Sequence, residues 1–448
     1  MTQLFRIKNV FIFRLQTYFY NFASYYTESK RNYNMKIKLI ILNFLQFAIW
    51  GAYLTSMGRF LDANHHGSSI GLFYATQGIV SIFFPAIIGM IGDRWIQAQR
   101  LYGICHLLSA LSMLGAGYFG MGEINLPALY ICFFFGIGFY MSSLSLSYAV
   151  AYNALEKNGM DTVKDFPPIR VFGTIGFIIS MWCTDLLGFQ ATSMQFISSG
   201  IIGLVLAAYS TIVPKCEINK NLTKKNFAEA IGLDAFKLFK QKKLAVFFIF
   251  SMFLGVALQI TNSWANPFIS SFENINEFSE TFGVKHANIL ISLSQISETL
   301  CILLIPFFME KIGIKKVMFI AMIAWVMRFA FFGAGNPGDG VWLFVLSCIV
   351  YGVAFDFFNI SGSLFVDKET SHDIRSSAQG LFMLMTNGIG ATLGTLGAQA
   401  VVDYFVHSQS DPMRVWSGWQ TSWYIFAGYA LVLAIMFALL FKDSKESK

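Results

Sequence analysis

The sequence predicts an all-α membrane protein with twelve transmembrane helices in two six-helix halves. Three observations carry this prediction. Of 448 residues, 55% are apolar and only 13% are charged, against about 25% charged in soluble domains. Crossing a bilayer takes about 20 apolar residues. Runs of that kind recur near 37–61, 69–91, 101–120, 126–152, 169–190, 193–213, 245–270, 287–310, 316–334, 341–366, 377–403 and 419–441. The one long loop, 214–243, holds eight Lys against three acids and divides the runs six and six. That is the layout of two helical halves joined by a linker.

Each segment follows from its composition. Residues 1–34 are aromatic and basic, with no uninterrupted apolar core and no small-residue cleavage site. They do not read as a signal peptide. They fit an amphipathic surface helix or an over-extended start, because MKIKLIILNFLQF from Met35 begins as membrane proteins ordinarily do. Residues 35–213 then form the first half and 214–243 the linker. Within the linker, 227–241 has apolar residues near helical spacing, which allows an interfacial helix, although a solvated linker obeying the positive-inside rule is the leading expectation. Residues 244–441 form the second half, and 442–448 a short polar tail.

Loop charges set the orientation. The loops after the even spans, with the tail, carry Arg94, Arg100, Lys157, Lys164, the linker lysines, Lys311, Lys315, Lys316, Lys368, Arg375, Lys442, Lys445 and Lys448. The loops after the odd spans carry only Lys285 and Arg414. Lys and Arg concentrate on the cytoplasmic side, so both termini are expected there. The net charge of +7 is thereby read as loop charge, not as a nucleic-acid footprint. The six Cys offer no pairing across an extracytoplasmic loop, so no disulfide framework is expected. Nothing in the sequence calls for a metal or a cofactor.

Two carboxylates stand where charges are costly. Glu298 lies inside 287–308 and Asp356 inside 341–366. A charge at the bilayer centre costs about 2.5–3.5 kcal/mol on insertion scales, so such residues mark function. Gln295 precedes Glu298 by three residues and Asn359 follows Asp356 by three, on shared helix faces. Similar faces carry Arg170, Thr174 and Phe177 in span 5, Gln259 and Asn262 in span 7, and Tyr351 with Phe355 in span 10. Carboxylates and amides bind vicinal hydroxyls, and aromatic faces stack on a planar base. A nucleoside fits this inventory; a sugar fits nearly as well. The amides also suit interhelical hydrogen bonding, and Arg170 could snorkel from the cytoplasmic end of span 5. Arg328 and His106 read as structural. Arg170, Glu298 and Asp356 together sum to one negative charge, which one proton would neutralise, so Asp356 or Glu298 is the expected proton-coupling group.

The loop after span 2, GMIGDRWIQAQR (89–100), places Gly89 and Gly92 before Asp93-Arg94. Glycines permit close helix approach, and the charged pair can build a cytoplasmic gate. The string resembles the Gly-x-x-x-Asp-Arg signature of the major facilitator superfamily, although its later basic residues are replaced by Ile96-Gln97-Ala98. MEKIGIKK (309–316) after span 8 is a degenerate echo, as a duplicated half would leave. In span 11, Gly390 and Gly394 form a small-xxx-small pair suited to helix packing.

Longer strings narrow the resemblance. FPPIRVFGTIGFI (166–178), FFIFSMFLGVALQITN (247–262), SQISETLCILLIPFF (294–308) and IVYGVAFDFFNISGSLFV (349–366) closely resemble the NupG-type nucleoside:proton symporters of the major facilitator superfamily. So do FLQFAIWGAYLT (44–55), SSAQGLFMLMTNGIG (376–390) and WYIFAGYALVLA (423–434). The likeness runs from about Met35 to Phe441. It implies a monomeric transporter of the bacterial cytoplasmic membrane that moves nucleosides inward with protons by alternating access. It also implies a nucleoside pocket of Arg170, Thr174, Phe177, Gln259, Asn262, Gln295, Glu298, Tyr351, Phe355 and Asp356, which moves Arg170 from snorkelling cation to pocket residue. The 34-residue leader and Asp185 depart from the family pattern, and nothing in the sequence accounts for Asp185. The family spans broad carriers and narrower ones for xanthosine, and base preference stays open.

Other classes fit less well. A sugar or drug carrier of the same superfamily is the nearest alternative. A membrane enzyme would need a catalytic signature, and no HExxH, GxSxG or P-loop occurs. A sensor would want a sizeable soluble output domain.

Overall fold

The computed structural model describes residues 32–216, 233–370 and 375–441. The expectations for residues 1–31, for linker residues 217–232 and for the tail 442–448 lie outside these. Among the described residues there are helices and connecting turns and no strand. In lipid every backbone N–H must find its partner within the protein, and an α-helix finds it within its own segment.

The first half contains α1 (32–51), α2 (Ile70–Arg94), α3 (Ala98–Phe119), α4 (Leu126–Lys157), α5 (Thr162–Leu186) and α6 (Met194–Tyr209). The short helix Met57–Ala63 continues α1 after a turn. The second half contains α7 (Lys242–Ser271), α8 (Ala287–Ile312), α9 (Ile314–Ala334), α10 (Val341–Glu369), α11 (from Arg375–Met383 on to Asp403–His407) and α12 (Pro412–Leu440). Ten of the twelve are long and apolar enough to span on those grounds alone. The other two are α1 and α8, the latter with a shorter apolar stretch at Ala287–Ile302. The linker segment Leu233–Lys240 is a short 3₁₀ helix.

Local chemistry sets the ends. Asn125 caps α4 by accepting from the Ala128 N–H at 3.2 Å, and Asp411 caps α12 from the Arg414 N–H at 3.0 Å. Gly313, at φ 80°, turns the chain between α8 and α9 with no spare residue.

Both halves use one packing device, in which the first helix presses on the fifth. In the first half the Gly51 Cα lies against the Phe177 backbone and that of Gly176 against the Phe44 backbone. In the second, Gly255 meets the Thr386 backbone, Gly390 the Met252 carbonyl and Gly394 the Val256 backbone. The glycines of α11 therefore serve packing. Within α11, Leu384–Gly390 is a π-helical turn, a form that recurs at functional sites.

Buried polar groups tie each half internally. Gln46 is fully buried; its Oε1 accepts from the Tyr102 hydroxyl at 2.6 Å and lies 2.9 Å from His106 Nε2. Its Nε2 donates to Ser143 Oγ at 3.0 Å, and Tyr140 donates to its backbone carbonyl. His106 is thus a buried core residue held through Nε2, with its Nδ1 left without a partner.

A seam of polar contacts joins the halves at the end of the helices away from the linker, here the far face. Asp185 of α5 explains itself there. Its Oδ1 lies 2.6 Å from His286 Nδ1, and its Oδ2 accepts from the Asn288 and Ile289 N–H groups that open α8. Nearby, Trp182 donates to Ser292 and Asn288 to Ser56. A matching contact closes the α2–α11 side. There His407 lies 2.7 Å from Asp403 in its own helix and 3.5 Å from Asp62 in the other half. Gln399 accepts from the Gly71 N–H and donates to the Gly67 carbonyl.

Candidate functional site

The two mid-membrane carboxylates are neighbours because of a glycine. The Gly352 Cα presses on Ser297 so closely that an added Cβ would lie 2.6 Å from the Ser297 carbonyl. The Ser297 hydroxyl donates to the Ile349 carbonyl at the same crossing. Ser297 immediately precedes Glu298, and Asp356 follows Gly352 by one helical turn. The crossing of α8 and α10 therefore sets the acids side by side, within electrostatic reach of one another. Asp356 is 4% exposed, and its Oδ2 has no hydrogen-bond partner. Among the described residues neither acid has an ion-pair partner.

The facing half presents a cation on an aromatic wall. The Arg170 guanidinium lies over the Phe47 ring at 3.9 Å, and its Nε donates to the Tyr148 hydroxyl at 3.4 Å. That stack holds the long side chain at the site, where it acts on Glu298 across the seam. Trp50 packs edge-on against Phe177 with centroids 6.2 Å apart. Thr174 lies one turn beyond Arg170 and is half-buried.

The amides and remaining rings complete the second half's side. Asn262, Gln295 and Tyr351 line one cavity, with Thr55 and Arg328. Gln295 Oε1 is buried without a partner, and Asn262 reaches Gln259 only at 3.5 Å. Tyr351 stacks on Phe355 with centroids 5.8 Å apart and planes 12° apart. Phe355 and Asn359 line an adjacent cavity with Trp325 and Thr386. The arrangement joins two acids without ion-pair partners, a stacked guanidinium, an unpartnered amide oxygen at Gln295 and paired rings.

Of the residues expected at the gate, the surroundings of the glycines are described. A Cβ at Gly89 would meet nothing within 4 Å, whereas Gly92 packs on Leu101. The close approach is thus made at Gly92 and not at Gly89. Asp93 and Arg94 end α2, and their side chains lie outside the described residues. Sequence reasoning did not single out Phe47, Trp50 and Tyr148 at the site. The one available signal was Phe47 and Trp50 at i and i+3 beside Gly51, hidden in a chain with 17% aromatics.

The chain matches the family model described as Nucleoside H+ symporter over residues 33–446. It is 45% identical over 413 residues to the nucleoside permease NupG of Escherichia coli, covering 91% of this chain and 96% of the relative. It is 43% identical over 418 residues to the E. coli xanthosine permease, covering 92% and 97%. The fold superposes on the crystal structure of the nucleoside transporter NupG with a TM-score of 0.83 at 44% identity, covering 92% of this chain and all of that one.

Proposed function

This chain belongs to the nucleoside H+ symporter family, a transporter and not an enzyme, and from that premise we propose that it imports nucleosides with protons by alternating access. The observation that carries the reading is the pair Glu298 and Asp356, left without ion-pair partners at membrane depth opposite Arg170. Acids held there are kept for use. The acids and amides suit the ribose hydroxyls, and Tyr351, Phe355 and Phe177 suit the base. Arg170, Glu298 and Asp356 carry one net negative charge among them, and one proton taken up with the substrate would discharge it. The linker face is the cytoplasmic one, following the loop lysines.

Uptake of labelled uridine into cells lacking their own nucleoside carriers tests the reading. Uptake is expected to collapse on adding a protonophore. Uptake indifferent to the proton gradient would leave facilitated diffusion, and transport of sugars without nucleosides would sink the substrate assignment.

Alternating access requires the far-face seam to part when the site opens outward. Asp185 links α5 to His286 and to the start of α8, so its loss should favour the outward-open state. A hydrogen bond to a charged group is worth about 1.5–3 kcal/mol. Asp185→Asn is therefore expected to raise the labelling rate of Ser292→Cys by an impermeant maleimide roughly ten-fold. An unchanged rate would show that this contact does not hold the seam.

A further inference from the structure

Arg328 is the charge that the pocket assignment leaves unused. It sits within α9 and is 2% exposed. A guanidinium at this depth carries a considerable solvation cost. Among the described residues it has no carboxylate partner to offset that cost. Its Nη1 donates to the Ser347 carbonyl of α10 at 2.6 Å and to Ser294 Oγ of α8 at 3.3 Å. Ser347 donates back to the Arg328 carbonyl at 2.9 Å. These bonds pin the head group between the two helices that carry Asp356 and Glu298.

A plain tie between helices could be made by an uncharged donor. What this tie does further is place the guanidinium carbon 4.4 Å from the Tyr351 ring centroid. The Phe355 ring stacks near-parallel with Tyr351, and Trp325 meets Tyr351 edge-on at 6.0 Å. Arg328 also lines the cavity shared by Asn262, Gln295 and Tyr351. Tyr351 lies within electrostatic reach of Arg328, Glu298 and Asp356 alike. The order is a cation held by two serines, then Tyr351 and Phe355, with the acids alongside.

We infer that Arg328 is a positioning residue of the nucleoside site, fixing the plane of Tyr351, and through it Phe355, for stacking on the base. Resting as it does on the nucleoside reading, the inference adds a residue that acts through another side chain. A cation over a ring resists its rotation, because the attraction is to the ring face. With Tyr351 held in one orientation, less side-chain freedom is lost when the base arrives.

The test uses the full chain in proteoliposomes, with labelled uridine and adenosine and an imposed proton gradient. Arg328→Met is expected to raise KM for both by roughly three- to thirty-fold, the factor a buried cation–π contact is worth. The maximal rate should stay within about three-fold. Arg328→Lys keeps the charge without the planar fork and should fall between. A merely structural role would lower the amount of folded protein and the maximal rate with KM unchanged, and that result overturns the inference. Should Arg328→Met fail to fold, Arg328→Lys and Tyr351→Leu decide it as a pair. If Arg328 acts through Tyr351, their effects on KM are less than additive; additive effects reject it. Absence of all nucleoside uptake by the unsubstituted chain rejects instead the functional reading on which the inference rests.

Discussion

Asp356→Asn is expected to abolish proton-driven nucleoside accumulation in a protein that still folds. The substitution keeps size and shape. It breaks no ion pair, since Asp356 has none among the described residues, and its Oδ2 has no hydrogen-bond partner to lose. Removing a buried charge should leave stability unchanged or raise it. What disappears is the group that can take up a proton and the charged acceptor for a substrate hydroxyl. A hydrogen bond to a charged group contributes about 1.5–3 kcal/mol, so nucleoside affinity should fall roughly ten- to a hundred-fold. Accumulation against a gradient should fall to background. The measurement is concentrative uptake into proteoliposomes under an inward proton gradient, beside uridine counterflow without one. Counterflow that survives while accumulation is lost assigns coupling to Asp356. Full accumulation by the variant would move the coupling role to Glu298, and Glu298→Gln would then be the decisive variant.

Gly352→Val should be the most damaging change away from the charges. An added Cβ would fall on the Ser297 carbonyl, and backbone cannot swing aside as a side-chain tip can. Overpacking of this kind costs about 1–3 kcal/mol, occasionally more. Relief requires α10 to lift from α8, which separates Asp356 from Glu298 and breaks the hydrogen bond from Ser297 to Ile349. Both the melting temperature in detergent and nucleoside uptake are therefore expected to drop. Gly397→Ala is the control, because its Cβ would meet nothing within 4 Å. In a helix interior that change should be neutral or stabilising by about 1 kcal/mol. Equal damage from both substitutions would mean that the loss of any glycine in these helices, and not the α8–α10 crossing, is being measured.

The site was unevenly legible. Glu298 and Asp356 stood out because an acid inside an apolar run breaks the one pattern a membrane span must keep. Tyr351 and Phe355 followed from their helical spacing to Asp356. Arg170 was ambiguous, since its position near a helix end fits snorkelling, and only the family resemblance drew it into the pocket. Phe47 and Tyr148, which hold its guanidinium in place, carry no signal of their own among so many aromatics. Arg328 read as a structural cation, and it does tie α9 to the Ser347 carbonyl and the Ser294 hydroxyl. Its stack on Tyr351 was not visible in the sequence.

By itself the sequence determined the twelve spans, the division into halves, the expected orientation and the identity of the costly charges. Each of these is a property of residues within a helix length of one another, and the bilayer reads them one helix at a time. The tertiary structure alone decided which helix faces meet. Gly352 brings two acids 58 residues apart in the chain to one crossing. Asp185, unaccountable as a lone acid in span 5, gains its partners 101 and more residues away at the start of α8. Such juxtapositions depend on the packing of small residues and the mutual satisfaction of buried polar groups between helices. Along a single strand of sequence those two requirements leave no periodic trace.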